Sequence, residues 1–182
     1  MAKEESLARR NVPVKFFAAV LFSGGFDPGE SFYGELEDKL GTVDYSGEDH
    51  PFDLTDYYNN EMGGGLKRRI VSFAGLGPAE DLPARKMISA RIEKIFEGER
   101  GRKVNLDPGY VDYYKVVLAS FKEAPQKIYL SSGVFADTVL LFRDGVFRSL
   151  PWTFPDIESG LYTDDFTWIR AKYKEERRNT RR

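Results

Sequence analysis

Residues 104–110 read Val-Asn-Leu-Asp-Pro-Gly-Tyr. They lie between two halves of the chain that differ in their predicted secondary structure. We predict a short strand here that ends in a turn at the Asp-Pro-Gly triplet. Asp can bond the backbone of its own turn, Pro fixes φ, and Gly accepts φ > 0. Helices and strands alternate before this turn, whereas the sequence after it is rich in strands. The turn is therefore expected to join two halves and to hold Asn105, Asp107 and Tyr110 together.

The composition limits the classes of protein and of chemistry. The chain has 182 residues, 41% of them hydrophobic, with a net charge of −2, no cysteine and a single histidine, His50. This length suits one domain, and we predict a single soluble domain over residues 1–182. The lack of cysteine excludes disulfides, thiolate zinc sites and cysteine nucleophiles. The charge argues against a general nucleic-acid binder, and no apolar stretch approaches the roughly 20 residues that span a bilayer.

Residues 12–107 alternate in the order β-α-β-β-α-β. The continuous apolar run at 14–22 is typical of a strand buried on both faces. A signal peptide is the alternative for this run, but Lys15 interrupts it and no cleavage site follows. The order predicts a ferredoxin-like split βαβ sheet of the α+β class, with both helices on one face. Strands are expected at 14–22, 42–45, 66–73 and 103–106, and helices at 27–41 and 79–98, with Glu93 on the solvent side of the second helix.

The second half is predicted to be a β-rich extension, residues 108–160, followed by a terminal helix, 161–173. Asp144 and Gly145 lie between two apolar runs, which is a strong hairpin signal. Residues 1–11 are expected to form a frayed terminus and residues 174–182 a basic tail. Strands are expected at 114–121, 127–130, 134–142 and 146–150.

One rim of the sheet is the predicted ligand site. We expect the first and third strands to run parallel in the centre, which gathers Lys15, the loop at 52–65, the start of the third strand and the 105–107 corner. Cations, carboxylates, an amide and aromatic rings on one concave edge suit a small anionic ligand, possibly a nucleotide. Adjacent strand residues point to opposite faces, so only one of two neighbouring arginines can reach a given pocket. The predicted ligand-binding residues are Arg68, Arg69, Asn105, Asp107, Tyr110, Tyr57, Asp53 and Lys115.

No motif in the chain names a reaction, so catalytic residues, cofactors and enzymatic activity remain unassigned. The acidic residues near Asp53 do not match a calcium-loop pattern, and no metal site is predicted. One alternative is an RNA- or protein-binding adaptor that uses the sheet face and the basic tail. Another is a structural subunit of an oligomer, joined through the exposed hairpin. The basic residues of the tail are Lys174, Arg177, Arg178, Arg181 and Arg182.

Seven segments of the chain also form a recognisable pattern, at 51–58, 61–63, 66–69, 104–110, 115–120, 127–130 and 150–156. Together they resemble an uncharacterised prokaryotic family, domain of unknown function 4416, over about residues 12–173. The resemblance implies a single-domain cytoplasmic protein whose motif residues fall on the predicted rim, and it carries no activity. The family pattern has Thr-Lys-Asp and then His where this chain has Phe121-Lys122-Glu123 and Gln126. The resemblance therefore gives no support to chemistry that depends on that histidine.

Overall fold

The computed structural model describes residues 13–53, 58–99 and 101–180, with Asn59 and Asn60 described by their backbone alone. The predicted frayed terminus, Tyr57, Arg181 and Arg182 lie outside the described residues. The strands are β1 Pro13–Phe22, β2 Val43–Ser46, β3 His50–Pro51, β4 Lys67–Phe73, β5 Gly77–Pro78, β6 Glu97–Gly98, β7 Gly101–Arg102, β8 Val104–Val111, β9 Lys115–Ser120, β10 Ile128–Ser131, β11 Val134–Arg143 and β12 Val146–Ser149. The α-helices are α1 Glu30–Leu40, α2 Asn59–Met62, α3 Leu82–Ile95, α4 Pro155–Glu158 and α5 Thr163–Asn179.

Helices pack on one large antiparallel sheet, which confirms the α+β class. The main path of the sheet is β10-β11-β9-β8-β1-β4-β2. Within the first half, the order across the sheet is therefore fourth, first, third and second strand. The first strand is buried along almost its whole length, as its apolar run predicts.

The prediction that the first and third strands run parallel is wrong. β1 pairs antiparallel with both β4 and β8. The α1 crossover returns the chain into β2 in the direction of β1, and β4, which pairs antiparallel with β2, must then oppose β1. The end of β1 therefore meets the starts of β4 and β8, and Leu21 pairs with Arg68 on one side and Asn105 on the other. Lys15 lies at the opposite end, paired with Val111.

The two faces of β1 belong to separate apolar clusters. Ala18 and Val20 pack in a cluster that holds residues of both α1 and α3, so these two helices share one face. Phe17 and Ala19 pack on the other face in a cluster with residues of α5. Both faces of the central strand are therefore covered by helices, in three layers.

The Asp107-Pro108-Gly109 triplet is not a turn, because it lies inside β8. β8 pairs with β1 over its whole length, but its pairing with β9 covers only Gly109 to Val111. Pro108 has no N–H to donate, and in the strand it lies just before that pairing begins. Gly109 allows close contact, since a Cβ at this position would lie 2.3 Å from the Val117 oxygen.

The second half contains the predicted hairpin and a terminal helix that is longer than predicted. Asp144 and Gly145 have φ of 53° and 85°, which fits the two-residue hairpin predicted between β11 and β12. The terminal helix runs to Asn179 instead of ending at residue 173, so most of the predicted tail is helical. Glu176 accepts a hydrogen bond from the buried Lys15 at 2.7 Å, which holds the last turns of α5 on the sheet. None of the helices in the described residues is long and apolar enough to cross a membrane.

Candidate functional site

A cavity of about 540 Å³ lies on the face of the sheet that carries Ala19, and we call it the cleft. Its floor crosses five strands, from Arg68 on β4 through Ala19 on β1, Asn105 on β8 and Leu118 on β9 to Asp137 on β11. The cationic side chains that line the cleft are Arg68, Lys86, Arg102, Lys122 and Lys127. The carboxylates are Glu93, Asp107, Asp137 and Asp156, and the aromatic rings are Phe52, Tyr58, Phe121 and Phe154.

The cleft forms where β8 and β9 separate. Their pairing ends at Gly109, so no strand of the described residues pairs with the first part of β8 on that side. Two side chains of α3 take the place of the missing strand at Leu106. Glu93 Oε1 accepts its N–H at 2.7 Å, and Lys86 Nζ donates to its carbonyl oxygen at 3.0 Å. Both side chains are therefore buried, whereas Glu93 was predicted on the solvent side of the helix.

Asp107 is at the centre of the charged floor. Its Oδ1 accepts a hydrogen bond from Lys86 Nζ at 2.8 Å, and its Oδ2 accepts one from Asn105 Nδ2 at 2.9 Å. Burial by itself raises the pKa of Asp107, but the charges of Lys86 and Arg68 and these two hydrogen bonds outweigh it, so the pKa is lowered overall. Asp107 is therefore ionised at neutral pH, between two cations.

Arg102 extends the hydrogen-bond chain to the outer end of the cleft. Its Nη1 donates to Asn105 Oδ1 at 2.8 Å and to Glu93 Oε2 at 3.1 Å. Its Nε and Nη2 each donate to Glu61 at 2.7 Å, a bidentate pair. These carboxylates raise the pKa of Arg102, and burial raises the pKa of Glu93 despite its bonds to Leu106 and its cationic neighbours. The chain Arg102–Asn105–Asp107–Lys86 fixes the orientation of each member.

Arg68 is held rigidly beside this network. It is only 6% exposed, and its guanidinium donates a hydrogen bond to Asp156. Its Cζ lies 4.3 Å from the centroid of the Phe52 ring, a cation–π contact. Its Nε is buried and donates no hydrogen bond to any described residue. Arg68 thus has a fixed positive charge, and its Nε–H has no acceptor among the described residues.

Asp137 is a lining residue that the sequence prediction missed. Its side chain is 1% exposed, and neither carboxylate oxygen has a hydrogen bond within the described part of the chain. The Nζ of Lys127 lies 3.6 Å from Oδ2, and that Nζ donates to Ser120 Oγ at 2.9 Å. Burial raises the pKa of Asp137, and the side chains of Lys127 and Gln126 offset this only in part. The one signal in the sequence is an aspartate inside the apolar run of β11.

One protein family matches almost the whole length of this fold. The model of the family described as Domain of unknown function (DUF4416) matches residues 12–173. The chain belongs to this family. No curated protein and no solved structure matches the chain.

Of the predicted ligand-binding residues, Arg68, Asn105 and Asp107 come together in the cleft of the DUF4416 protein. Arg69 lies on the opposite face of the sheet, where it donates to Asp49 Oδ1 at 2.7 Å and to the Tyr33 hydroxyl at 2.6 Å.

Tyr110, Lys115 and Asp53 also lie apart from the cleft. Because β8 continues through Pro108, strand alternation turns Tyr110 to the other face, where its ring packs edge-on against Phe16 at 6.4 Å. Lys115 Nζ lies 2.6 Å from Asp112 Oδ2. Asp53 is exposed beside residues 54–57, which the structure does not describe. Across residues 13–53, 58–99 and 101–180, no group of three or more acidic or histidine side chains could hold a metal ion.

Proposed function

We propose that this DUF4416 protein binds, or acts on, a small anionic molecule with a planar or apolar part, such as a nucleotide, in the cleft. The observation that carries the proposal is the make-up of the lining. Five cationic side chains face four carboxylates among the described lining residues, and four aromatic rings complete the walls. Among the lining residues the cationic side chains thus outnumber the carboxylates by one, next to apolar surface, and the further carboxylate of Glu61 pairs with Arg102.

The volume of the cleft supports a small ligand rather than a polymer. Small-molecule sites in proteins enclose about 300–1,000 Å³ and combine apolar walls with a few fixed polar groups. The cleft, at about 540 Å³, has this size and this mixture.

The fixed charges suggest a role for each part of the lining. Arg68 is held by Asp156 and Phe52, so little side-chain entropy remains to be lost when it binds an anion. Asn105 and Asp107 are fixed by mutual hydrogen bonds and can orient the polar part of the ligand. The aromatic rings offer surfaces for a planar group.

Arg68 and Arg69 provide a matched pair of variants, since they are neighbours on β4 whose side chains lie on opposite faces. Thermal shift and calorimetry with nucleotides and other phosphorylated metabolites should identify compounds that stabilise the wild-type protein. Saturation at about 100 times Kd stabilises by about 2.7 kcal/mol, which corresponds to a rise of about 5–10 °C in Tm. Arg68→Gln should weaken binding about tenfold or more, because a charged hydrogen bond is lost. Arg69→Gln should leave the affinity unchanged.

Two results would count against this proposal. One is that no anionic compound shifts the wild-type Tm. The other is that Arg69→Gln weakens binding as much as Arg68→Gln does, since the cleft would then not be the binding site. Incubation of each binding compound with the protein, followed by product analysis, separates binding from turnover.

A further inference from the structure

The environment of Asp137 points to the chemical group that the cleft recognises. A buried carboxylate normally accepts several hydrogen bonds, because leaving a charge unpaired away from water is costly. Asp137 is 1% exposed and lines the cleft, yet neither oxygen accepts a hydrogen bond of normal geometry from a described residue. Its polar neighbours are the side chains of Lys127 and Gln126. Its nearest cation, Lys127 Nζ at 3.6 Å, is beyond hydrogen-bond distance.

Aromatic rings line the same cleft as the Asp137 carboxylate. Asp137 pairs with Leu118 on β9, and Ser120 and Phe121 follow on the same chain segment. Phe121 and Phe154 both line the cleft. Of the described cations, Lys86 already binds Asp107, and its Nζ lies 5.4 Å from the centroid of the Phe121 ring. An anionic acceptor in a cleft that aromatic rings also line suits a planar group that donates hydrogen bonds.

We propose that Asp137 accepts two adjacent N–H groups from a planar part of the ligand, such as the edge of a guanine-type base or a guanidinium group. Two carboxylate oxygens match two parallel N–H donors, the most specific arrangement that a carboxylate can make. This inference rests on the proposed function, since it assigns the second end of the same ligand. The anionic end of that ligand belongs to Arg68, on the other side of the floor.

The contacts of Lys127 change when the ligand binds to Asp137. Both oxygens of Asp137 are covered from solvent, so the N–H donors of the ligand replace the ammonium group of Lys127. The ion pair at 3.6 Å is longer than a hydrogen bond, so N–H donors at hydrogen-bond distance can occupy the oxygens while the charge of Lys127 stays nearby. Lys127 keeps Ser120 as its partner at 2.9 Å, and its charge becomes available to the anionic part of the ligand.

A comparison of three nucleotides measures the contribution of the donor pair apart from that of the rest of the ligand. Guanosine monophosphate has two adjacent N–H donors on its base, inosine monophosphate has one at that edge, and adenosine monophosphate lacks the pair. Calorimetry with the full-length protein should give about tenfold tighter binding of the guanosine compound than of either other nucleotide. Comparing the affinity for free arginine with that for free lysine tests in the same way whether the donor pair is a guanidinium group.

Asp137→Asn is the test variant, because it keeps the shape and replaces one acceptor with a donor. The variant should lose the preference for the donor pair, so that the three nucleotides bind alike. Asp144→Asn is the matched control, since Asp144 is 82% exposed at the β11–β12 hairpin. It should keep the wild-type preference. If Asp137→Asn does not fold, the wild-type comparison of guanosine with inosine still decides the matter.

The inference is overturned if neither guanosine monophosphate nor arginine binds better than its partner compound. It is equally overturned if Asp137→Asn keeps the preference. In both cases another anionic compound that binds through Arg68 would leave the proposed function standing. Failure of every anionic compound, in contrast, would remove the proposed function itself.

Discussion

At the scale of single residues, Asp107 makes the stability of the cleft depend on pH. Its ordinary pKa is 3.8, and although burial opposes ionisation, Lys86, Arg68 and the hydrogen bond from Asn105 bring its pKa in the folded protein below that value. The unfolded state therefore binds more protons than the folded state at acidic pH. The stability that Asp107 contributes is complete above about pH 4 and is lost as the pH falls through the folded pKa.

Asp107→Asn should lower the free energy of unfolding by about 3 kcal/mol at neutral pH, because Lys86 then lies buried without its ionic partner. The difference between wild type and variant should begin to shrink below about pH 4, where Asp107 of the unfolded wild-type chain takes up a proton, and should shrink further as the pH falls through the lowered pKa of the folded protein. Urea unfolding of both proteins between about pH 3 and pH 7 measures it. A difference that stays constant over this range would show that the charge of Asp107 contributes nothing.

At the scale of the elements, the contact between β8 and β9 depends on Gly109. A Cβ at this position would lie 2.3 Å from the Val117 oxygen and 2.6 Å from Phe17 Cζ, so Gly109→Ala should cost about 1–3 kcal/mol of stability. Gly34→Ala in α1 is the control, because no atom lies within 4 Å of its Cβ. That change should stabilise the protein by about 0.5–1 kcal/mol through helix propensity. Urea unfolding gives both values, and an unaffected Gly109→Ala protein would contradict the close strand contact.

Periodicity and turn signals in the sequence predicted most elements but not the break between β8 and β9. Asp-Pro-Gly is a turn signal in isolation, and only the pairing of β8 with β1 along its length keeps it extended. Arg68, Asn105 and Asp107 were rightly grouped, although the assumed strand direction was wrong. Lys86 and Glu93 could not be found, because their burial depends on a gap between strands that are distant in sequence. The helix pattern alone assigns such charged residues to solvent.

At the scale of the whole molecule, one buried lysine joins the sheet to the last helix. Lys15 is fully buried on β1, and its Nζ donates to Asp44 Oδ2 at 2.5 Å and to Glu176 Oε1 at 2.7 Å. Asp44 also accepts a hydrogen bond from Ser72 Oγ at 2.6 Å. This cluster connects β1, β2 and β4 to the C-terminal turns of α5. The helix is thereby fixed over the face of the sheet that also forms the floor of the cleft.

Glu176 and its neighbour Glu175 allow the contribution of this cluster to be measured. Glu176→Gln should lower the free energy of unfolding by about 2 kcal/mol, since the negative charge that faces the buried ammonium group of Lys15 is lost. Glu175 is 53% exposed and pairs only with Lys172 at 3.1 Å among the described residues, so Glu175→Gln should change stability by less than about 0.5 kcal/mol. Urea unfolding compares the two variants. Equal effects of the two variants on stability would mean that the ion pair of Glu176 does not hold α5 in place. The apolar residues Phe166 and Ile169, which pack on the sheet in both proteins, would then hold the helix alone.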